Sequence, residues 1–256
     1  MTWQDEGIVL ANRRHGEAHS VLSLLTRDHG RFAGLVRGGG GRRQSAALQP
    51  GNRVQAVWRA RLADQLGQFT VELLDQPGSL LFDDPPRLAA LASACALVDL
   101  CLPEREPHAP VFVRMAALGD LLATRDDWSG LYVLFELALL TDLGFALDLT
   151  TCAVTGGHDD LVYVSPRTGR AVGREAAGVY ADRLLPLPAF LRDDGPVDDA
   201  SVLAGLRLTG HFLRRHMLEP LDRAMPDARD RLIALLAKRA GLADNDGSAP
   251  PDAASS

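Results

Sequence analysis

The sequence predicts an α+β protein: a small five-stranded barrel at the front, then a helical domain carrying a short β-hairpin insert. Three observations point there. Hydrophobicity alternates with period two through the first 75 or so residues. Beyond Gln76-Pro-Gly-Ser and Asp83-Asp84-Pro85-Pro86 the period becomes helical. Turn-forming residues separate the short alternating runs, and closing such runs into a barrel leaves no sheet edge exposed. The resulting boundaries are residues 1–78 for the barrel, 79–241 for the helical domain with its insert at 150–174, and 242–256 for a polar tail that reads as disordered.

Each element follows from local pattern. Gly7–Arg14 and Ser20–Arg27 are the first two β-like runs, the second ended by Asp28-His29-Gly30. In Arg31–Arg37, Phe32, Gly34 and Val36 oppose Arg31, Ala33, Leu35 and Arg37. Arg37-Gly-Gly-Gly-Gly-Arg42-Arg43-Gln44 reads as a mobile loop, because four glycines hold neither strand nor helix cheaply. After Pro50-Gly51, Val54, Ala56, Trp58 and Ala60 alternate with Arg53, Gln55, Val57, Arg59 and Arg61. Phe69, Val71 and Leu73 share one face of a fifth run.

Helical stripes follow. Leu88, Leu91, Cys95, Val98 and Leu102 form the first, and Phe112, Met115, Leu118 and Leu122 the second. Trp128–Phe145 is apolar on most sides, as a central buried helix is. Val202, Leu203, Leu206, Leu213 and Met217 make another stripe, ended near Glu219-Pro220. The last helix is predicted to begin at Pro226, in the first turn, and to stop at Gly241. Inside this half, Leu161–Val164 and Arg170–Val172 flank Ser-Pro-Arg-Thr-Gly as a hairpin.

The chain carries 46% apolar residues and no apolar run of 18 or more, and it opens without a signal-peptide pattern. A cytoplasmic protein without membrane contact is expected. Three cysteines are too few and scattered for a disulfide framework, and Cys95 and Cys101 read as small core residues. The net charge is −6, which by itself argues against nucleic acid as a partner. The average hides a split: residues 1–61 hold ten arginines against four acids, or +6, and the other 195 residues carry −12. Such asymmetry points to a segment that faces a polyanion.

At the insert the chain resembles a known family. Leu147-Asp148-Leu149, Cys152-Ala-Val-Thr-Gly156 and Asp160 through Val172 resemble the middle of the RecO recombination mediators. Glu6-Gly-Ile-Val-Leu, Gly16-Glu17, Leu24-Leu25-Thr26 and Gly30-Arg31-Phe32 agree with its start, and Leu208 through Arg215, Pro226 and Arg229–Leu232 with its end. The resemblance spans residues 3 to about 240. It implies an N-terminal OB-fold, a helical domain, and a non-enzymatic role in recombinational DNA repair. Members bind single-stranded DNA, anneal strands coated with single-strand-binding protein, and work with RecR to load RecA. Many also hold zinc on two cysteine pairs in the insert. Here Cys152 has Thr155 where its partner would stand and no second pair follows. With His158 that makes two ligands where structural zinc takes four, so no metal and no other cofactor is assigned. Hairpin pairing and apolar packing around Val162, Tyr163 and Val164 are then expected to hold the insert.

Single-stranded DNA requires phosphate neutralisation along a groove, and a planar guanidinium serves both phosphate and base. The candidate contacts are Arg37, Arg42, Arg43, Arg59 and Arg61, with Arg13, Arg14 and Arg31 behind them. The plain alternative is a set of solubilising surface arginines. Trp58, Phe32 and Phe69 fall on apolar strand faces and read as core rather than stacking platforms. Arg207, Arg214 and Arg215 on the Val202–Leu218 helix could receive the acidic, hydrophobic-ended tail of single-strand-binding protein, against a reading as a solvated helix face.

No catalytic motif emerges. Gly38–Gly41 lacks the Gly-Lys-Ser/Thr ending of a phosphate loop, Cys152–His158 reads as a lost zinc knuckle, and His211 and His216 do not share a helix face. Two alternatives stay beside the mediator: an adaptor with weak DNA affinity acting mainly through RecR and single-strand-binding protein, and a nucleic-acid-processing enzyme for which the sequence supplies no residues.

Overall fold

The computed structural model describes residues 1–16, 18–39, 42–62, 64–192 and 195–242; the side chains of residues 42–44 lie outside that description. The expected disorder of the tail therefore falls outside the described residues, apart from Leu242.

The five alternating runs form strands β1 (Thr2–His15), β2 (His19–Thr26), β3 (Gly30–Arg37), β4 (Arg53–Arg59) and β5 (Gln68–Asp75). They close into a barrel in the order β1-β2-β3-β5-β4. Closure depends on the length of β1, whose Thr2–Ile8 half pairs with β4 and whose Gly7–His15 half pairs with β2. A bulge between Val9 and Ala11 adds one residue to β1 and bends it. Inward-facing Val9, Leu22, Leu24, Phe32, Val36, Val54, Ala56, Trp58 and Phe69 fill the interior, so the three aromatics are core side chains. Leu73 departs from expectation: it is exposed, beyond a register shift at Arg53–Val54.

The segment after β3 corrects the loop reading. Helix α1 (Arg42–Ala47) begins directly behind the glycines, and Gly40 and Gly41 fall outside the described residues. Arg, Gln and Ala favour helix. The amide of Asn52 then donates to the carbonyls of Ala46 and Ala47 (2.9 and 3.2 Å), satisfying acceptors the helix end leaves open. Leu48, just past the helix, completes the barrel core.

The helical half comprises α2 (Pro85–Cys101), α3 (Ala109–Thr124), α4 (Trp128–Asp142), the hairpin β6 (Leu161–Val164) and β7 (Ala171–Gly173), a single turn α5 (Arg174–Ala177), a short third strand β8 (Leu185–Pro186), α6 (Asp199–Leu213) and α7 (Asp227–Arg239). Asp84 caps α2 by accepting the Arg87 amide at 3.1 Å, with Pro85 in the first turn. Asp198 and Ser201 form a capping box on α6. Pro226 precedes α7 as its cap instead of sitting in its first turn, and Gly241 closes it at φ +70°. Leu88, expected in the first stripe, is exposed. In the insert, Leu161, Val164, Ala171 and Val172 are buried whereas Val162 and Tyr163 are half-buried. Packing there rests on Leu161 and Val164 at the two ends of β6, which join the core of the helical half.

The two halves share a core. Ile8, Leu10 and Leu25 point out of the barrel and pack with α2 and α3 residues. The amide of Arg105 donates to the Arg31 carbonyl (2.8 Å), and Arg31 and Glu104 form a parallel bridge. Gly30, at φ +72°, lies so close to this segment that a Cβ would fall 1.8 Å from the Glu106 carbonyl oxygen.

Candidate nucleic-acid interface

Strand register decides which arginines share a surface, because residues paired across strands stand on the same face. One row runs Arg13, Val21, Leu35, Gln68, Arg59 across β1, β2, β3, β5 and β4. All five lie on the outer face, opposite the parity of the barrel core. At about 4.8 Å per strand, Arg13 and Arg59 stand roughly 19 Å apart around the wall. The next row brings His15, His19 and Arg37 together. Arg14 belongs to the row of buried Ser20 and Val36 and projects at the barrel rim. Arg61 is exposed just beyond β4.

The arginines divide by pairing. Arg14, Arg37, Arg59 and Arg61 are exposed and form no ion pair among the described residues. Arg27 and Arg53 both hold Glu6 on β1, and Arg27 also lies over the Phe112 ring. Their side chains brace the barrel wall. Arg31 faces the helical half: its Nε donates to the Leu102 carbonyl at 2.8 Å, and its Nη1 is 3.4 Å from Glu104 and 3.6 Å from Asp99. It therefore stands apart from the free set. Arg13 is intermediate, donating to Asp99 at 2.8 Å while its side chain stays 67% exposed.

Asp99 on α2 anchors this junction. Its buried carboxylate accepts from Ser23 Oγ (2.5 Å) and Arg13, so one acid of the helical half ties down β1, β2 and β3. A cleft of about 730 Å³ opens there, with Leu102, Glu104 and Arg223 along its wall. Sequence periodicity places Asp99 on α2 but carries no sign of its partners, which are 68 to 86 residues away. Arg42 and Arg43 begin α1 instead of hanging on a loop, and their side chains lie outside the described residues.

In the helical half, Arg207 and Arg214 are exposed and seven residues apart, two turns along one face. Arg215 is drawn elsewhere: it donates to the Pro166 carbonyl at 3.1 Å, which His211 Nε2 also meets at 3.0 Å, tying the hairpin turn to α6. His216 stacks on Phe145 at 4.6 Å.

The residues of the insert do not fit a zinc ion. His158 Nδ1 is engaged with the Thr150 carbonyl at 2.7 Å, and among the described residues no three His, Cys, Asp or Glu side chains gather as a ligand set. Cys152 is enclosed and accepts the Gly173 amide at 3.4 Å. Burial works against its thiolate, yet the Thr155 hydroxyl and the amides of Gly173, Thr155 and Val154 outweigh it and hold the thiol at about 6. Cys95 and Cys101 behave as core residues, their thiols pushed up to about 12 by burial.

A closed five-stranded barrel with a helix between its third and fourth strands, followed by a helical second half, describes an OB-fold protein with an appended helical domain. The sequence profiles agree: "Recombination protein O N terminal" matches residues 1–77 and "Recombination protein O C terminal" residues 83–224. The DNA repair protein RecO of Rhodospirillum rubrum is 52% identical over 91% of this chain and 96% of its own length. Those of Cereibacter sphaeroides and Rhodospirillum centenum are 49% and 51% identical, over 93% and 91% of this chain and 99% and 94% of theirs. The chain belongs to the RecO family of DNA-repair proteins.

Proposed function

We propose that the barrel binds single-stranded DNA along its outer face, chiefly through phosphates, and that the protein anneals strands coated with single-strand-binding protein and acts with RecR to load RecA in the cytoplasm, at the nucleoid. One observation carries the reading. On a chain of net charge −6, Arg13, Arg37 and Arg59 occupy adjacent rows of one barrel face, and Arg14 and Arg61 flank it. Arg14, Arg37, Arg59 and Arg61, free of internal acids among the described residues, release counterions when they meet phosphates, and Arg13 joins them by exchanging Asp99 for a phosphate. With the aromatics inside the barrel, stacking contributes little and binding depends weakly on sequence. No hydrolytic step is assigned, and the protein works as a mediator, not an enzyme.

About five contacts give a slope of log K against log[salt] near −3 to −4. Titration of an oligothymidylate over a range of salt tests this directly, and a slope near zero would remove the reading. Arg207 and Arg214 are the residues proposed to meet the acidic tail of single-strand-binding protein, with Arg215 contributing less because the hairpin holds it. A labelled tail peptide that binds Arg214→Glu as tightly as the unmodified protein would exclude that role.

One observation favours a second reading. Arg27, Arg31 and Arg53 are tied to acids of the same chain, which thins the positive field. An adaptor with weak DNA affinity, acting through RecR and single-strand-binding protein, would show a shallow salt slope yet retain both protein contacts.

A further inference from the structure

Of the seven histidines, several have evident structural work. His29 meets Asp5 at 3.0 Å and stacks on Trp3, His158 and His211 meet carbonyls, and His216 stacks on Phe145. His15 and His19 differ. They are cross-strand partners at the β1–β2 end, and His19 also pairs with Arg37 on β3. His15 is exposed and His19 half-buried, and neither makes a hydrogen bond or ion pair among the described residues; His19 Nδ1 is covered and unpartnered. Among the described residues, the charged side chains at neighbouring outward ladder positions are Arg13 on β1 and Arg37 on β3; Glu17, between the two histidines in sequence, lies outside the described residues. The arrangement is a row of two imidazoles and a guanidinium beside the row that holds Arg13 and Arg59.

We infer that His15 and His19 are proton-dependent phosphate contacts of this face, so that DNA binding takes up protons and tightens as pH falls. The inference rests on the phosphate-binding role proposed above for the same surface. Its chemistry is simple. Imidazole is the side chain that changes charge between pH 5 and 8. A polyanion laid across the rows favours the protonated rings, since each imidazolium can then meet a phosphate. Proton uptake on binding then makes the association constant rise with falling pH, and each ring that charges adds one counterion-releasing contact.

The test is the affinity of a rhodamine-labelled oligothymidylate at pH 8 and pH 6, over a range of salt, since thymine itself does not titrate there. Each added contact steepens the single-strand slope by about 0.7 and is worth about fivefold at 0.1 M salt. The unmodified protein should therefore bind about tenfold tighter at pH 6, with a slope steeper by up to about 1.4. H15Q/H19Q should lose the pH response. Calorimetry in buffers of different ionisation enthalpy reads proton uptake on the unmodified protein, so the result does not hinge on the variant. Salt-dependent binding with no proton uptake, or a pH response retained by H15Q/H19Q, would overturn the histidine role and leave the arginine face standing. Absence of salt-dependent binding at both pH values would remove that face and this inference together.

Discussion

Arg229 on α7 grips Glu136 on α4 in parallel, its Nε 2.8 Å from Oε1 and its Nη2 2.9 Å from Oε2, with both side chains enclosed. The pair is not isolated. Thr209 Oγ1 donates to Glu136, Arg229 Nη2 also reaches the Leu206 carbonyl at 2.6 Å, and Tyr132 and Ser93 share a hydrogen bond of 2.6 Å one turn away. The Glu136 charge and its bonds push the Arg229 guanidinium upward, against the opposing effect of burial. Three helices, α4, α6 and α7, meet on one ion pair.

Removing one partner leaves a buried charge without compensation. Glu136→Gln and Arg229→Met should each lower unfolding free energy by about 3–5 kcal/mol in urea titrations. Replacing both by apolar residues should recover much of the loss. A double variant no better than either single one would show that hydrogen bonds to Thr209 and Leu206, more than the ion pair, hold the helices.

Gly30→Ala should be strongly destabilising. The new Cβ would collide with the Glu106 backbone, and the positive φ adds strain. A loss of roughly 2–4 kcal/mol is expected, within the range of overpacking plus backbone strain. Gly16→Ala is the control: it also has a positive φ but no atom within 4 Å of its Cβ, so it should lose only about 1 kcal/mol. Equal losses would mean that docking of the 104–106 segment contributes little.

Asp99→Asn separates the junction from the DNA face. Arg31 and Ser23 would lose a charged acceptor, and thermal unfolding should show a loss of about 1–3 kcal/mol. Arg13 would gain freedom, so oligothymidylate affinity should hold or rise. Weaker DNA binding by a folded Asp99→Asn protein would mean that Arg13 must be held by Asp99 to meet phosphate.

Arg37→Glu/Arg59→Glu should flatten the salt slope by about 1.4 or more, since two contacts become repulsive. Arg53→Gln alters a residue braced by Glu6 and should change stability more than slope. A slope insensitive to Arg37 and Arg59 would move the binding surface elsewhere.

Treatment with a zinc chelator should leave Tm unchanged. A zinc-held insert would lose many kcal/mol on chelation, because metal affinity is then folding energy. A clear drop in Tm would reverse the reading that hydrogen bonds and apolar burial hold Cys152 and the hairpin.

Period-two patterning decided the barrel strands, and parity alone sent Trp58, Phe32 and Phe69 inward, as the coordinates place them. Helix α1 was missed because the glycines before it dominate the local signal, whereas its stability comes partly from Asn52, five residues past its end. Val162 and Tyr163 were misjudged because a four-residue strand carries too short a period to fix which face is covered.

By itself the sequence determined the two-part architecture, the inward and outward faces of most of the barrel strands, and the excess of arginine at the front, since these depend on residue spacing and composition within single segments. Only the tertiary structure decided which arginines remain free and which are tied to Glu6, Asp99 or Glu104, and which histidines join them. The physical reason is that charge pairing and cross-strand register act between residues tens of positions apart, and the periodicity of one segment holds no record of what closes against it.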